Sequence, residues 1–223
     1  MNKNIQIALN HSFTYASFLE QMAELVKSNK SSGKEQSKDL TNFTKLNQAR
    51  IKRLSKTQKT NQAILDTLSS LTQKLTFIVL TESWCGDAAQ TIPVIYKVAE
   101  ASDKIDLKIA YRDENLDLMN QFLTHGNQAI PKLIVLDNSN NIIAHWGPRP
   151  TIATKMVNDY KNENGGLDAQ FKKDLQIWYN KNKSFLTDFK IIFLTAWYIL
   201  FSESNLAFKW FKGLPEKPKE LNG

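Results

Sequence analysis

The chain contains one cysteine, Cys85, set in Trp84-Cys85-Gly86-Asp87-Ala88. A thiol attacks disulfides and ligates metals as its thiolate, so what surrounds Cys85 decides whether it is reactive. From Asp87 onward Ala88, Ala89, Ile92, Ile95, Tyr96 and Ala99 recur at helical spacing, which places Cys85 just before or in the first turn of a helix. Free N–H groups and the partial positive charge of that helix end favour the thiolate. Asp87 acts the other way, because a neighbouring carboxylate opposes a second negative charge. A dithiol oxidoreductase needs a resolving sulfur in the same turn, and here that position is Ala88. An internal disulfide formed and reduced in each cycle is therefore excluded for a monomer. Two readings of Cys85 stay open: a mixed disulfide or sulfenic acid resolved by a small-molecule or protein thiol, or a semi-buried small residue in a fold that binds partners.

Other chemistry-bearing residues are sparse. His11, His125 and His145 are far apart and form no short His/Cys/acid cluster, so no metal is expected, and ordinary packing is expected for His145 beside Trp146. Arg112-Asp113-Glu114 follows a strand end, where functional groups and plain ion pairs are both common. With no Gly-rich phosphate loop and no serine elbow, no cofactor is expected. The net charge of +7 sits in the first part of the chain: residues 1–74 hold 12 Lys/Arg against 5 Asp/Glu, and residues 75–223 hold 17 of each. Lys45, Arg50, Lys52, Arg53, Lys56 and Lys59 fit solvated helix faces, without zinc-finger or RNA-binding motifs, so no nucleic acid is expected.

The elements that must position Cys85 are legible on both sides of it. Leu75 to Leu80 is a short apolar run rich in β-branched and aromatic residues, which predicts a buried strand. Before it, Tyr15, Phe18, Leu19, Met22, Leu25 and Val26 predict a helix opened by Ser12 or Thr14. The polar stretch 29–37 reads as an exposed loop, Leu40, Phe43, Leu46, Ile51 and Leu54 as a second apolar stripe, and Ile64, Leu65, Leu68 and Leu71 as a third. Three helices are thus expected before the first strand. After the cysteine helix come a strand over 105–111, a short helix at 116–123, and a strand over 130–136 opened by Pro131. Turn residues at 137–141 and a returning strand over 142–146 complete a hairpin. A helix from about Thr151 to Tyr160, a Gly165-Gly166 break and a helix carrying Phe171, Leu175 and Trp178 follow.

That order predicts an α/β fold with a mixed central sheet flanked by helices. Trp84-Cys85-Gly86-Asp87, Pro93 inside the following helix, Ile130-Pro131, and Gly147 after the hairpin resemble the active-site motif, kinking proline, cis-proline loop and glycine of thioredoxins. More closely, the chain resembles bacterial thioredoxin-like proteins with a helical N-terminal extension and a single-cysteine Trp-Cys-Gly-Asp-Ala-Ala active site. Thr44-Lys45-Leu46-Asn47, Arg112 to Leu116, Trp146-Gly147-Pro148-Arg149-Pro150 and Leu175-Gln176-Ile177-Trp178-Tyr179 carry that likeness, which spans about residues 5–183. It implies monothiol redox chemistry in cell redox homeostasis. Cys85 would be the reacting residue, Trp84, Gly86, Asp87, Ala88, Ile130 and Pro131 the shell around it. Trp84 would shield the thiol, Pro131 face it, and the Ile130 backbone pair with an extended peptide.

The expected division is a helical extension over 1–74, a thioredoxin-like core over 75–163, a helix over 164–183 and an apolar, partly basic tail over 184–223. In the tail, Ile191 to Phe201 is an apolar run of 11 residues, short of the roughly 20 a membrane span requires. Packing of 185–211 on a partner or a second copy ranks first, ahead of packing on its own domain and of membrane contact. The opening residues lack a signal peptide's apolar core, and one cysteine gives no sign of an oxidising compartment, so a cytoplasmic location is expected.

Overall fold

The computed structural model describes residues 2–60 and 62–182. Four helices come first: α1 (Lys3–Asn10), α2 (Tyr15–Lys27), α3 (Lys38–Thr57) and α4 (Gln62–Ser69). Strand β1 (Leu75–Thr81) leads into α5 (Gly86–Glu100), followed by β2 (Ile105–Tyr111), the short α6 (Leu116–Met119), and the hairpin of β3 (Lys132–Leu136) and β4 (Ile142–Trp146). Helices α7 (Thr151–Asn164) and α8 (Ala169–Lys181) close the described part.

The sheet order is β2-β1-β3-β4, with β1 parallel to β2 and antiparallel to β3, and β4 antiparallel to β3. This is a mixed, thioredoxin-like sheet flanked by helices. Phe77, Ile78, Val79 and Leu80 of β1 are all buried, as a central strand covered on both faces requires. Ile5, Phe18, Met22, Ile51 and Ile64, from α1 to α4, join the same hydrophobic cluster as β1 and α5. The segment between α1 and α2 pairs with the outer edge of β2 at one bridge. Phe13 N–H donates to the Ile109 carbonyl at 2.7 Å and Ile109 N–H to the Phe13 carbonyl at 2.9 Å, so the middle of that edge is capped.

Several sequence-based expectations need correction. Four helices, not three, precede β1; α1 has only eight residues and two buried positions, Ile5 and Ala8, too few to make a visible stripe. On α3 the inward residues are Thr44, Asn47, Ile51 and Leu54, while Phe43 and Leu46 are exposed. The 29–37 loop is not uniformly exposed, since Ser31 and Ser32 are buried. On α8, Phe171 and Leu175 are buried as expected, but the third inward residue is Tyr179, and Trp178 is half-buried. The Ile130–Pro131 bond is cis, and so is Gly147–Pro148. The proposed packing of 185–211 lies outside the described residues, among which no helix is long and apolar enough to cross a membrane.

Candidate active site

Strand β1 ends at Thr81, and four residues later the chain turns into α5 with Cys85 as its N-cap. The site thus stands at the carboxyl end of a central strand, where open α/β sheets place ligand chemistry. Cys85 is 7% exposed. Its Sγ accepts from Ala88 N–H at 3.4 Å and donates to the Ile130 carbonyl at 3.4 Å, across from cis-Pro131. Burial pushes the thiol up to about 12, and the Asp87 charge adds to the shift against the smaller opposing pulls of the helix N–H groups and Arg149. The thiol is therefore protonated at neutral pH in this arrangement.

Asp87 is itself buried, with Arg149 Nη2 2.7 Å from Oδ2 and the Tyr179 hydroxyl donating to Oδ1 at 3.1 Å. Burial raises its carboxyl, and the contacts from Arg149 and Tyr179 act to lower it. Arg149 reaches the site because Gly147 lies at φ 116° directly against the Pro131 carbonyl, where no side chain would fit. Lys132 Nζ ties the two proline loops together, donating to the Gly147 carbonyl at 3.2 Å and to Thr124 Oγ1 at 2.8 Å.

The turn before Cys85 is held from the N-terminal helices by a buried polar network. Thr44 Oγ1 donates to the Leu40 carbonyl at 2.9 Å, so its 2.8 Å contact with Ser83 Oγ uses the Ser83 proton. Asn47 Nδ2 donates to the Ser83 carbonyl at 3.0 Å. Ser32 N–H donates to Ser83 Oγ at 2.9 Å, and Ser83 N–H to Ser32 Oγ at 2.7 Å. The Ser32 hydroxyl donates to Glu82, whose other oxygen accepts from Asp113 N–H at 2.9 Å. Burial raises the Glu82 carboxyl. Asp113 in turn pairs with Arg112 at 2.7 Å, and the Arg112 guanidinium lies 5.3 Å over the Trp84 ring.

A thioredoxin family model matches residues 33–161, more than half of the chain. The chain belongs to the thioredoxin family. No curated protein matches this thioredoxin-family chain. Similar solved structures include a Pseudomonas aeruginosa protein of unknown function, 17% identical over 79% of this chain and 98% of that one, with a TM-score of 0.47. An HIV epitope-scaffold is 19% identical over 64% and 81%, with a TM-score of 0.44. The NTD_N/C domain of alkylhydroperoxide reductase AhpF from Enterococcus faecalis is 18% identical over 50% and 56%, with a TM-score of 0.35.

Trp84, Cys85, Gly86, Asp87, Ala88, Ile130 and Pro131 stand together at one end of this thioredoxin sheet. His145 stacks edge-on against Phe122 at 5.4 Å and takes no part in the contacts of Cys85. Among the described residues, no group of three His, Cys, Asp or Glu side chains is placed to hold a metal ion. Sequence reasoning missed Arg149 and Tyr179 as neighbours of Asp87, and Ser32, Thr44 and Asn47 as supports of the turn. For Arg149, Tyr179, Thr44 and Asn47 the signal was present only as family-like stretches, and Ser32 carried none, because nothing local marks a polar side chain whose partner lies far along the chain.

Proposed function

We propose that this thioredoxin-family chain is a single-thiol protein in which Cys85 exchanges with the disulfide of a protein or small-molecule partner. The Cys85 thiol gives up its proton and its sulfur bonds to one sulfur of the partner. The other sulfur leaves and takes the proton, and a second thiol later reverses the step. The observation that carries this reading is the placement of Cys85, at a helix N-terminus and against the carbonyl that precedes a cis-proline. The single cysteine supports a role in a reducing compartment such as the cytoplasm, within cell redox homeostasis, and the Trp-Cys-Gly-Asp-Ala motif supports a bacterial source.

One observation favours a second reading, a thioredoxin-fold binding module without redox turnover: the thiol is covered and pushed up to about 12. Incubating the folded chain with a disulfide at neutral pH and following the adduct by intact mass separates the two. A mixed disulfide at Cys85, reversed by added thiol, is expected. Its absence after hours, in conditions where the unfolded chain forms it readily, would leave the binding module as the function. Partner capture by Cys85→Ser would then be unchanged.

A further inference from the structure

Two hydrogen-bond donors from different helices converge on Gly86, the residue after the thiol. Arg50 Nη1 of α3 and Gln176 Nε2 of α8 lie 3.8 and 3.7 Å from the point that a Cβ on Gly86 would occupy. Each is aimed by a buried amide. Asn47, with no exposed surface, accepts from Arg50 Nη1 at 2.9 Å, and Gln90, 2% exposed, donates to Gln176 Oε1 at 2.8 Å, which leaves Gln176 Nε2 turned towards Gly86. Lys45, Lys52, Arg53, Lys56 and Lys59 of the same basic region are exposed, whereas Arg50 is half-buried.

Arg112 and Arg149 are both paired with carboxylates, but no ion pair among the described residues includes Arg50. The charged neighbour acting on it is another cation, Arg53. A half-desolvated guanidinium without a counter-charge, paired with an amide donor over a residue that has no side chain, matches a planar carboxylate. The narrow exposure of Cys85 suits a small molecule better than a protein loop.

We propose that Arg50 and Gln176 form a carboxylate-binding subsite over Gly86, and that the disulfide exchanged at Cys85 is a low-molecular-weight one whose thiol carries a carboxylate. The second half of this statement rests on the single-thiol reading. The step is Cys85–SH plus RSSR giving Cys85–S–SR plus RSH, with the anionic disulfide as oxidant and a second anionic thiol as reductant.

The subsite is tested without any reaction at sulfur by titrating the full chain with S-methylglutathione and following the Gly86 amide by NMR. A saturable shift is expected, weakened at least about tenfold by Arg50→Gln, by Gln176→Glu, or by esterifying the ligand, the scale of one charge-assisted hydrogen bond. Gln176 is half-buried on α8, and Gln176→Glu keeps the oxygen that accepts from Gln90, so this variant keeps the test valid if Arg50→Gln fails to fold. No saturable shift, or the same affinity in both folded variants, overturns the subsite. The second half is read by adduct formation with oxidised glutathione against bis(2-hydroxyethyl) disulfide. A preference for the anionic reagent that Arg50→Gln abolishes supports it. Equal rates overturn the carboxylate preference, and no adduct from either reagent, with the Gly86 shift intact, overturns the exchange reading alone.

Discussion

Replacing Asp87 by Asn tests the electrostatics of the site most directly. The substitution removes one charge two residues from Cys85 and keeps one of the two oxygens that accept from Tyr179 and Arg149, so one of those donors then faces an amide NH2. Burial, the larger cause of the raised thiol pKa, is untouched, and only the contribution of Asp87 is lost. A single neighbouring charge moves a pKa by about 1–3 units, so the thiolate fraction near pH 8 rises by roughly 10- to 1,000-fold. Nucleophilicity falls as the pKa falls, with a Brønsted coefficient near 0.5, so the net gain in alkylation rate is about 3- to 30-fold. The assay is pseudo-first-order alkylation by iodoacetamide from pH 6 to 11, followed by intact mass. Because Arg149 loses its carboxylate but its side chain is 25% exposed, Asp87→Asn is expected to cost about 1–3 kcal/mol of stability, below the cost of breaking a fully buried pair. A folded Asp87→Asn protein that alkylates no faster than the parent would show that Asp87 carries no charge to remove, and would refute the ion pair with Arg149.

Glu82→Gln should flatten the pH dependence of stability. Burial raises the Glu82 carboxyl above its ordinary value of 4.5, so the folded chain keeps a proton that the unfolded chain loses. That contribution is full below the ordinary value and is lost as pH rises through the folded-state value. Urea midpoints of parent and variant that run parallel from pH 4 to 7 would contradict this. Gly147→Ala should cost about 2–5 kcal/mol, since it combines left-handed strain with overlap on the Pro131 carbonyl; a loss under about 1 kcal/mol would mean the loop moves freely. Asn47→Ala leaves the Ser83 carbonyl and Arg50 without their partner and should lower stability by about 2–3 kcal/mol with a shift in Trp84 emission. An unchanged denaturation midpoint and spectrum would remove Asn47 from the support of the turn.

The elements legible in the sequence are those whose apolar residues alone decide their placement. The run Phe77-Ile78-Val79-Leu80 had to be buried on both faces, and the spacing from Ala88 to Ala99 could only be a helix, so the strand, the thiol and the helix end were readable together. The hairpin followed from turn chemistry, and the cis-proline loop from the resemblance of Ile130-Pro131 to that of thioredoxins. Helix α3 was misread because apolar contrast points to Phe43 and Leu46, whereas the face turned inward carries Thr44 and Asn47, each satisfied by a hydrogen bond to Ser83. Ser32 was assigned to an exposed loop for the same reason, since its partners Glu82 and Ser83 lie on the far side of two helices. Arg149 depends on the contact of Gly147 with Pro131, which no local pattern records. These misreadings meet at one place, the turn that carries Trp84 and Cys85. A fold that needed only stability there could have used apolar residues at 44 and 47 at less desolvation cost. Buried polar side chains aimed at the thiol turn are instead what a site requires when the position of Cys85 and of the donors around it must be held.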